Sequence, residues 1–454
     1  MKNQLSRLLI FLSLVVFVSC RTNKAADSED AVAVDGHPGW IMQGNIYEVN
    51  VRQYTPEGTF AAFEKHLDRL KEMGVQTLWF MPIHPISKVD RKGVMGSYYA
   101  VADYTAVNPE FGTMDDWKSL VKNAHDKGFK VIIDWVPNHS GADNRWLTEH
   151  PEFYVKGTDG KFVSPFDWTD VRKLNYKNPA LVDTMINAMK FWVKETDIDG
   201  FRCDVAGEVP REFWTKAISE LKKEKNVFML AESNDAWMHD VGFDASYTWD
   251  AFHMMKQIAK GERPAFAIDS ILYKVDTSYA TNALRMYFTS NHDENSWNKA
   301  DYETMPGDVH APFAVLTHTI KGSVPLIYSG QEEPFLDSVS FFYKDTITFS
   351  KFKRAPFYKT LLNLRKNNPA LAANASFTKL ETNMDNNIYA FMREKDGNKV
   401  VVVLNLSPTP QTFKFKNASV NGEPRNVFTG NTDHLSTDSQ KSLPDWGYAV
   451  YEYK

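Results

Sequence analysis

Cysteine is nearly absent from this chain of 454 residues, which has two, Cys20 and Cys203. So sparse a set excludes a disulfide-stapled scaffold, and stability has to come from a core that a chain of this length, 43% hydrophobic, can bury. An excess of charge is also missing. The formal net charge is -5 and no polybasic run occurs, which argues against nucleic acid or a charged membrane surface as partner and suits a neutral substrate. No internal repeat of short period is present, and long apolar runs are absent apart from one at the N-terminus. What the chain has in quantity is aromatic side chains, 13% of the total with 12 Trp and 19 Tyr. Such rings stack on the apolar faces of sugars, and large cores consume them as well.

The one apolar run, Leu8 to Val18, follows Lys2 and Arg7 and is too short to span a bilayer comfortably, so residues 1–19 read as a signal peptide. Its end, FVSC, resembles a bacterial lipoprotein box, implying cleavage before Cys20 and acylation of that thiol, although Phe17 stands where Leu is usual. An ordinary signal peptide cleaved elsewhere is the alternative. Residues 20–38 are polar and small, as expected of a flexible tether, and folding is expected to begin near Trp40. With Cys20 acylated, Cys203 has no disulfide partner. The residues after Cys20 lack the acidic cluster that resembles a surface-export signal, which favours the periplasmic side of the outer membrane.

From about Asn45 to Gly330, short β-rich apolar runs alternate with amphipathic helical stretches. The runs are NIYEVNVRQY, TLWFMP, KVIIDWVPN, GFRCDVA, VFMLAES, FDASYTW, ALRMYFTSN and PLIYSG; FAAFEKHLDRLKEMG between the first two has helical spacing and a Gly stop. Eight such units predict a (β/α)8 barrel over 39–370, with an open doubly wound sheet as the alternative, because periodicity cannot show closure. The connection at 137–176 is too long for an ordinary loop and predicts an inserted subdomain. After a helix near Ala355 to Asn367, short alternating runs predict an all-β C-terminal sandwich over 371–454.

In such a barrel the reacting groups sit where strands end at the C-terminal face. Four ends carry polar residues: DWVPNH (Asp134 to His139), FRCD (Phe201 to Asp204), AES (Ala231 to Ser233) and SNHD (Ser290 to Asp293). Acidic groups at the ends of apolar strands are costly without a reason. Retaining cleavage of a glycosidic bond needs two carboxyl groups about 5 to 5.5 Å apart, one as nucleophile and one to protonate the leaving oxygen. Asp204 and Glu232 on neighbouring strands satisfy that need. Arg202 shares a strand face with Asp204 and is expected to hold it ionised, whereas Glu232 has no basic neighbour in sequence and is expected to have a raised pKa, as a general acid requires.

Taken in order, DxxxNH, GFRxD, a Glu ending the next strand and NHD resemble the four signature regions of the α-amylase family, over nearly the whole chain after the tether. The resemblance implies retaining hydrolysis of α-glucosidic bonds in starch-derived glucans or maltooligosaccharides, with Asp204 as nucleophile, Glu232 as acid/base and Asp293 as the carboxylate that grips sugar hydroxyls. It also implies that Arg202 partners the nucleophile, that His139 and His292 hydrogen-bond the reacting sugar, and that Tyr99 stacks beneath it with Asp103 as structural companion. DVAGEVPREFW and LNYKNPALV look most like the neopullulanase and cyclomaltodextrinase branch, and Val205 is similar to the residue type in members that tolerate α-1,6 links. There is no room for that branch's N-terminal domain, which suggests a monomer with an open cleft. Asn138 matches a calcium ligand, but Gly207 and Glu208 stand where relatives place a Lys and a calcium-binding His, and calcium takes about six to eight oxygens. Calcium is therefore an open question, and no organic cofactor is implied. Trp237 and Trp297, just past the acid/base and just past NHD, are placed to stack on glucosyl units or to pack in the core. Two other readings stand beside hydrolysis: a transglycosylase of the same fold and a non-catalytic, lipid-anchored glycan-binding protein.

Overall fold

The computed structural model describes residues 33–333 and 337–453, and the statements below concern those residues. Cys20, the signal segment and the tether up to residue 32 lie outside them. Eight parallel strands close into a barrel: β1 (Ile46–Val49), β2 (Thr77–Phe80), β3 (Lys130–Trp135), β4 (Gly200–Cys203), β5 (Phe228–Ala231), β6 (Ala245–Tyr247), β7 (Leu284–Tyr287) and β8 (Ser323–Tyr328). Each of the eight apolar runs in the sequence supplies one strand. Closure is completed by β8 pairing with β1, which excludes the open sheet.

The strands read as continuous apolar runs because both faces are covered. Alternate residues belong to two different cores. Ile46, Trp79, Ile132, Leu230, Tyr247, Met286 and Leu326 pack in one cluster, while Tyr47, Phe80, Ile133, Phe201 and Met229 pack in another with the helices around Trp117, Met189 and Trp214. The stretch expected as a single helix after β1 is divided into Phe60–Glu64 and Leu67–Met73. At the division the amide of His66 bonds three residues back to Phe63 at 2.8 Å, a tightened turn, and the second piece stops at Gly74 in the left-handed conformation (φ 100°).

The long connection after β3 contains an antiparallel pair, His139–Gly141 with Val171–Lys173, a short helix at Trp146–Glu149 and a 3-10 turn at Pro151–Phe153. The boundary expected near Trp40 needs correcting. Ala33–Val34 pairs with His37–Pro38, and buried His37 is held to the barrel's N-terminal end by Asp244 Oδ1 at 2.9 Å and the carbonyl of Asn282 at 2.8 Å.

Beyond the helix Ala355–Asn367 the chain forms β9 (Ser376–Leu380), β10 (Ile388–Lys395), β11 (Asn398–Asn405), β12 (Gln411–Phe413), β13 (Arg425–Asn426), β14 (Lys441–Leu443) and β15 (Tyr448–Tyr453). These make a five-stranded antiparallel sheet, ordered β9–β10–β11–β15–β13, and a separate pair, β12–β14. Strand alternation splits the larger sheet: Tyr389, Phe391, Val400 and Val402 pack toward the barrel, while Ile388, Ala390, Val401 and Val403 pack with Phe413 and Phe415. Buried Arg393 on β10 clamps the two domains, donating to the carbonyls of Thr319 (2.6 Å), Ile320 (2.8 Å), Ala372 (2.8 Å) and Ser376 (2.8 Å). Replacing it would strand these acceptors away from water. Arg393→Ala is expected to cost on the order of 3 kcal/mol, read as a lowered urea midpoint; an unchanged midpoint would show that the clamp contributes nothing.

Candidate active site

The sequence dictates apolar strands, yet the inward positions at their C-terminal ends are ionisable. Glu48 sits on β1, Asp134 on β3 and Arg202 on β4, all within 1% of complete burial. The β3–β4 register puts Asp134 directly opposite Arg202. Just past the strand ends follow Asp204 and Glu232, and the amide of Glu232 bonds to the carbonyl of Cys203 at 3.0 Å, which fixes the two acidic residues side by side.

Arg202 organises the group. Its Nη1 donates to Asp134 Oδ1 at 2.9 Å and to Asp204 Oδ1 at 3.0 Å, while Nη2 lies 3.0 Å from Glu232 Oε1. Rings of Trp79, Tyr247 and Tyr99 surround the guanidinium at 5.1, 5.5 and 5.7 Å. Glu232 Oε2 also accepts from the Val205 amide at 2.7 Å. Glu232 has no basic neighbour in sequence, and strand-to-strand packing supplies the arginine that sequence adjacency does not. Arg202 meets Asp204 as expected and favours its ionised form, against two opposing influences. Burial, and then the charge of Glu232, push Asp204 well above the carboxylate range in spite of the arginine. Burial likewise lifts Asp134 to about 7 against Arg202 and His292. One guanidinium faces three carboxylates here, and burial raises the two most enclosed of them, Asp134 and Asp204.

A hydrogen-bond chain continues from this cluster. His292 donates through Nδ1 to Glu48 Oε1 (2.5 Å) and through Nε2 to the Tyr99 hydroxyl (2.7 Å), which donates to Asp134 Oδ2 (3.2 Å). Burial alone would depress His292; Asp293, with Oδ2 3.3 Å from Nε2, and Glu48 carry it up to about 9, so the ring is an imidazolium at neutral pH. His139 is the opposite case. Burial, then nearby Lys173, lower it to about 3, and Asn138 Nδ2 lies 3.3 Å from its Nδ1, leaving a neutral ring with its proton on Nε2.

A cavity of about 500 Å³ opens over these groups, lined by Asp204, Glu232, Asp293, His139, His292 and Tyr99 together with Trp168, Trp297, Phe341 and Phe342. Tyr99 is stacked between His292 (5.5 Å) and Phe341 (6.2 Å). Asp103 accepts from the Thr105 amide at 2.8 Å and the Thr105 hydroxyl at 3.0 Å, closing a local turn. Trp297 is 54% exposed at the cavity rim. Trp237 is not in the cavity; it packs against the outer core under the guanidinium of Arg211, 4.9 Å from its ring. Glu48, Trp168, Phe341 and Phe342 were not read as site residues from the sequence. Glu48 has a signal, a carboxylate inside the apolar run NIYEV, whereas the others lie in irregular loops with none.

Near Asn138, whose amide nitrogen faces His139 Nδ1 at 3.3 Å, Glu208 is met at 3.8 Å by the Lys173 ammonium, a cation where a calcium ion would need oxygens. Among the described residues no three His, Cys, Asp or Glu side chains converge as a metal cradle.

Glu48 can be tested through its partner. The stabilisation linked to the raised pKa of His292 is fully present below the ordinary histidine value of 6.5 and is lost as pH rises through about 9. Glu48→Gln breaks a buried charge pair, with an expected cost of about 3–5 kcal/mol. It should also narrow the difference between thermal midpoints measured at about pH 6 and about pH 9.5. An unchanged difference would remove Glu48 as the group that keeps His292 charged.

Comparison with known proteins places this geometry. Residues 24–172 and 153–381 match the family described as alpha amylase, catalytic domain, and residues 377–450 match the maltogenic amylase C-terminal domain. Alpha-amylase MalA of Haloarcula japonica is 24% identical over 433 residues, which is 90% of this chain and 62% of that protein, so the chain spans less than two thirds of this relative's length. A cyclomaltodextrinase from a Bacillus species is 26% identical, with 83% of this chain and 75% of that protein covered. Among solved structures, a noncanonic maltogenic alpha-amylase AmyB from Thermotoga neapolitana superposes with a TM-score of 0.83 at 27% identity, covering 91% of this chain and 99% of its own. With its barrel, its strand-end carboxylates and most of its length accounted for by that match, the chain belongs to the α-amylase family of glycoside hydrolases.

Proposed function

We propose that the chain hydrolyses α-glucosidic bonds, mainly α-1,4 and also α-1,6, in starch-derived glucans or maltooligosaccharides with retention of configuration. The observation that carries this reading is Asp204 and Glu232 held on the two terminal nitrogens of one buried guanidinium, in a cavity also lined by Asp293. Glu232, as general acid, donates its proton to the leaving oxygen while the Asp204 carboxylate attacks the anomeric carbon, and the glycosidic C–O bond breaks as the ester bond forms. Glu232, now ionised, takes a proton from water, whose oxygen displaces Asp204 and restores the starting state. Asp293, His292 and neutral His139 line the cavity where sugar hydroxyls would lie; His139 would supply a neutral donor, while His292, whose two N–H groups are taken by Glu48 and Tyr99, would contribute its positive charge. Export as a lipoprotein acylated at Cys20, facing the periplasm and acting as a monomer, completes the proposal.

The test is product release by the full chain in detergent from maltoheptaose, pullulan, cyclodextrin and isomaltotriose. The first-formed product should carry the α-anomer by proton NMR, and Asp204→Asn should lower turnover by at least about a thousandfold. A β-anomer would refute retention. Oligosaccharides longer than the substrate would identify the transglycosylase instead, and a correctly folded protein inactive on the whole panel would favour the glycan-binding reading.

A further inference from the structure

The segments that follow the barrel strands around the cavity are uneven in length. After β4, β5 and β6 the chain enters its next helix almost at once, through residues 204–210, 232–236 and Thr248. After β2, β3 and β8 it makes long excursions over 81–113, 136–178 and the described parts of 329–354. These strands are not scattered: β8, β1, β2 and β3 form one arc of the barrel and β4, β5 and β6 the other. One side of the cavity is therefore a tall wall carrying Tyr99, His139, Trp168, Phe341 and Phe342, and the other is a low sill carrying Val205 and Glu232.

The wall is also stitched together. Arg52, 1% exposed, donates to the carbonyls of Met95 (3.2 Å), Gly96 (3.0 Å) and Phe341 (3.3 Å), tying the excursion after β2 to the one after β8. The Met95 amide donates to the Phe342 carbonyl at 3.0 Å. Gly93, at φ +63°, lies so close that a Cβ there would come within 2.6 Å of Phe342 Cβ. Gln53 fixes the far side of the same loop through the carbonyls of Ser340 and Tyr343, both at 2.7 Å. Trp297 closes the remaining corner, 5.2 Å from Phe341 and 5.7 Å from Phe342. At the other end of the wall, Lys92 reaches Asp170 of the insertion at 3.5 Å.

The direction of the substrate follows from the chemistry, on the hydrolase reading above. The oxygen protonated by Glu232 belongs to the part of the glucan that runs toward the reducing end, so that part leaves across the sill. The sugar attacked by Asp204 continues through its 4-hydroxyl toward the non-reducing end, away from Glu232 and into the wall. We propose that this wall is a stop: the enzyme receives the non-reducing end of an α-glucan, cuts a short distance from it, and does not cleave inside longer chains, with Phe342 and the Arg52-tethered turn at Gly93–Gly96 as the barrier. Among the described residues the rest of the surface offers no comparable feature; the cavity by Asp276, Tyr279 and Asn374 at the barrel's opposite end has a rim of paired polar groups.

The experiment compares maltoheptaose with maltoheptaose capped by a 4,6-ethylidene group at its non-reducing end, using the full chain in detergent. The capped substrate should be cleaved at least about tenfold more slowly, because the barrier acts by steric exclusion. Capped and free substrates cleaved at rates within about threefold overturn the stop while leaving hydrolysis intact. Inactivity on both overturns this inference together with the reading it rests on. Phe342→Ala should raise the capped-to-free rate ratio by about fivefold or more; if a folded variant, verified by its circular dichroism, leaves the ratio unchanged, Phe342 is not the barrier.

Discussion

The structure depends on one buried cation. Arg202 lies inside a closed barrel, cut off from water, and is sustained there by three carboxylates and a ring of aromatic faces. Removing a guanidinium from water is affordable only with such partners. Their number exceeds what one cation neutralises, and burial pushes Asp134 and Asp204 above the usual carboxylate range in spite of the arginine. The second cation, His292, extends the arrangement to Glu48 and Asp293, so that five carboxyl groups share two positive charges through Tyr99.

The barrel tolerates this because polarity is confined to one end of its interior. Alternate inward residues nearer the strand beginnings, such as Ile46, Ile132 and Leu230, pack as an apolar plug, and only one strand step further do Glu48, Asp134 and Arg202 appear. Bracing is likewise placed away from the chemistry. His37 is fastened at the N-terminal end, Arg365 ties the last barrel helix to the carbonyls of Gly44 (2.7 Å) and Leu371 (2.8 Å), and Arg393 couples the C-terminal sheet to the barrel beside β8. The rim loops are thus free to differ in length, and their asymmetry shapes the cavity.

The alternation of apolar runs with helical stretches made the eight strands legible, since a sheet buried on both faces demands uninterrupted apolar segments. The strand-end motifs made Asp204, Glu232, Asp293, Arg202, His139, His292 and Tyr99 legible, because polar residues at those points are too costly to be accidental. Trp237 shows the limit of that reasoning: one step past a motif, a tryptophan serves the outer core as readily as a cavity. Asp103 shows another, where spacing suggested a partner and the backbone took the side chain for its own turn.

By itself the sequence determined the strand inventory, the inserted segment, the change to β structure after the last helix and the polar set at the strand ends, because these follow from local periodicity and from residue types that have to be where they are. Tertiary structure alone decided closure, the pairing of Arg202 with Glu232 as well as Asp204, the protonation of His292 and the height of the cavity wall. Those depend on which residues of distant segments meet. Register, burial and loop packing are properties of the assembled chain, and charges acquire their pKa values only after that assembly has removed the water between them.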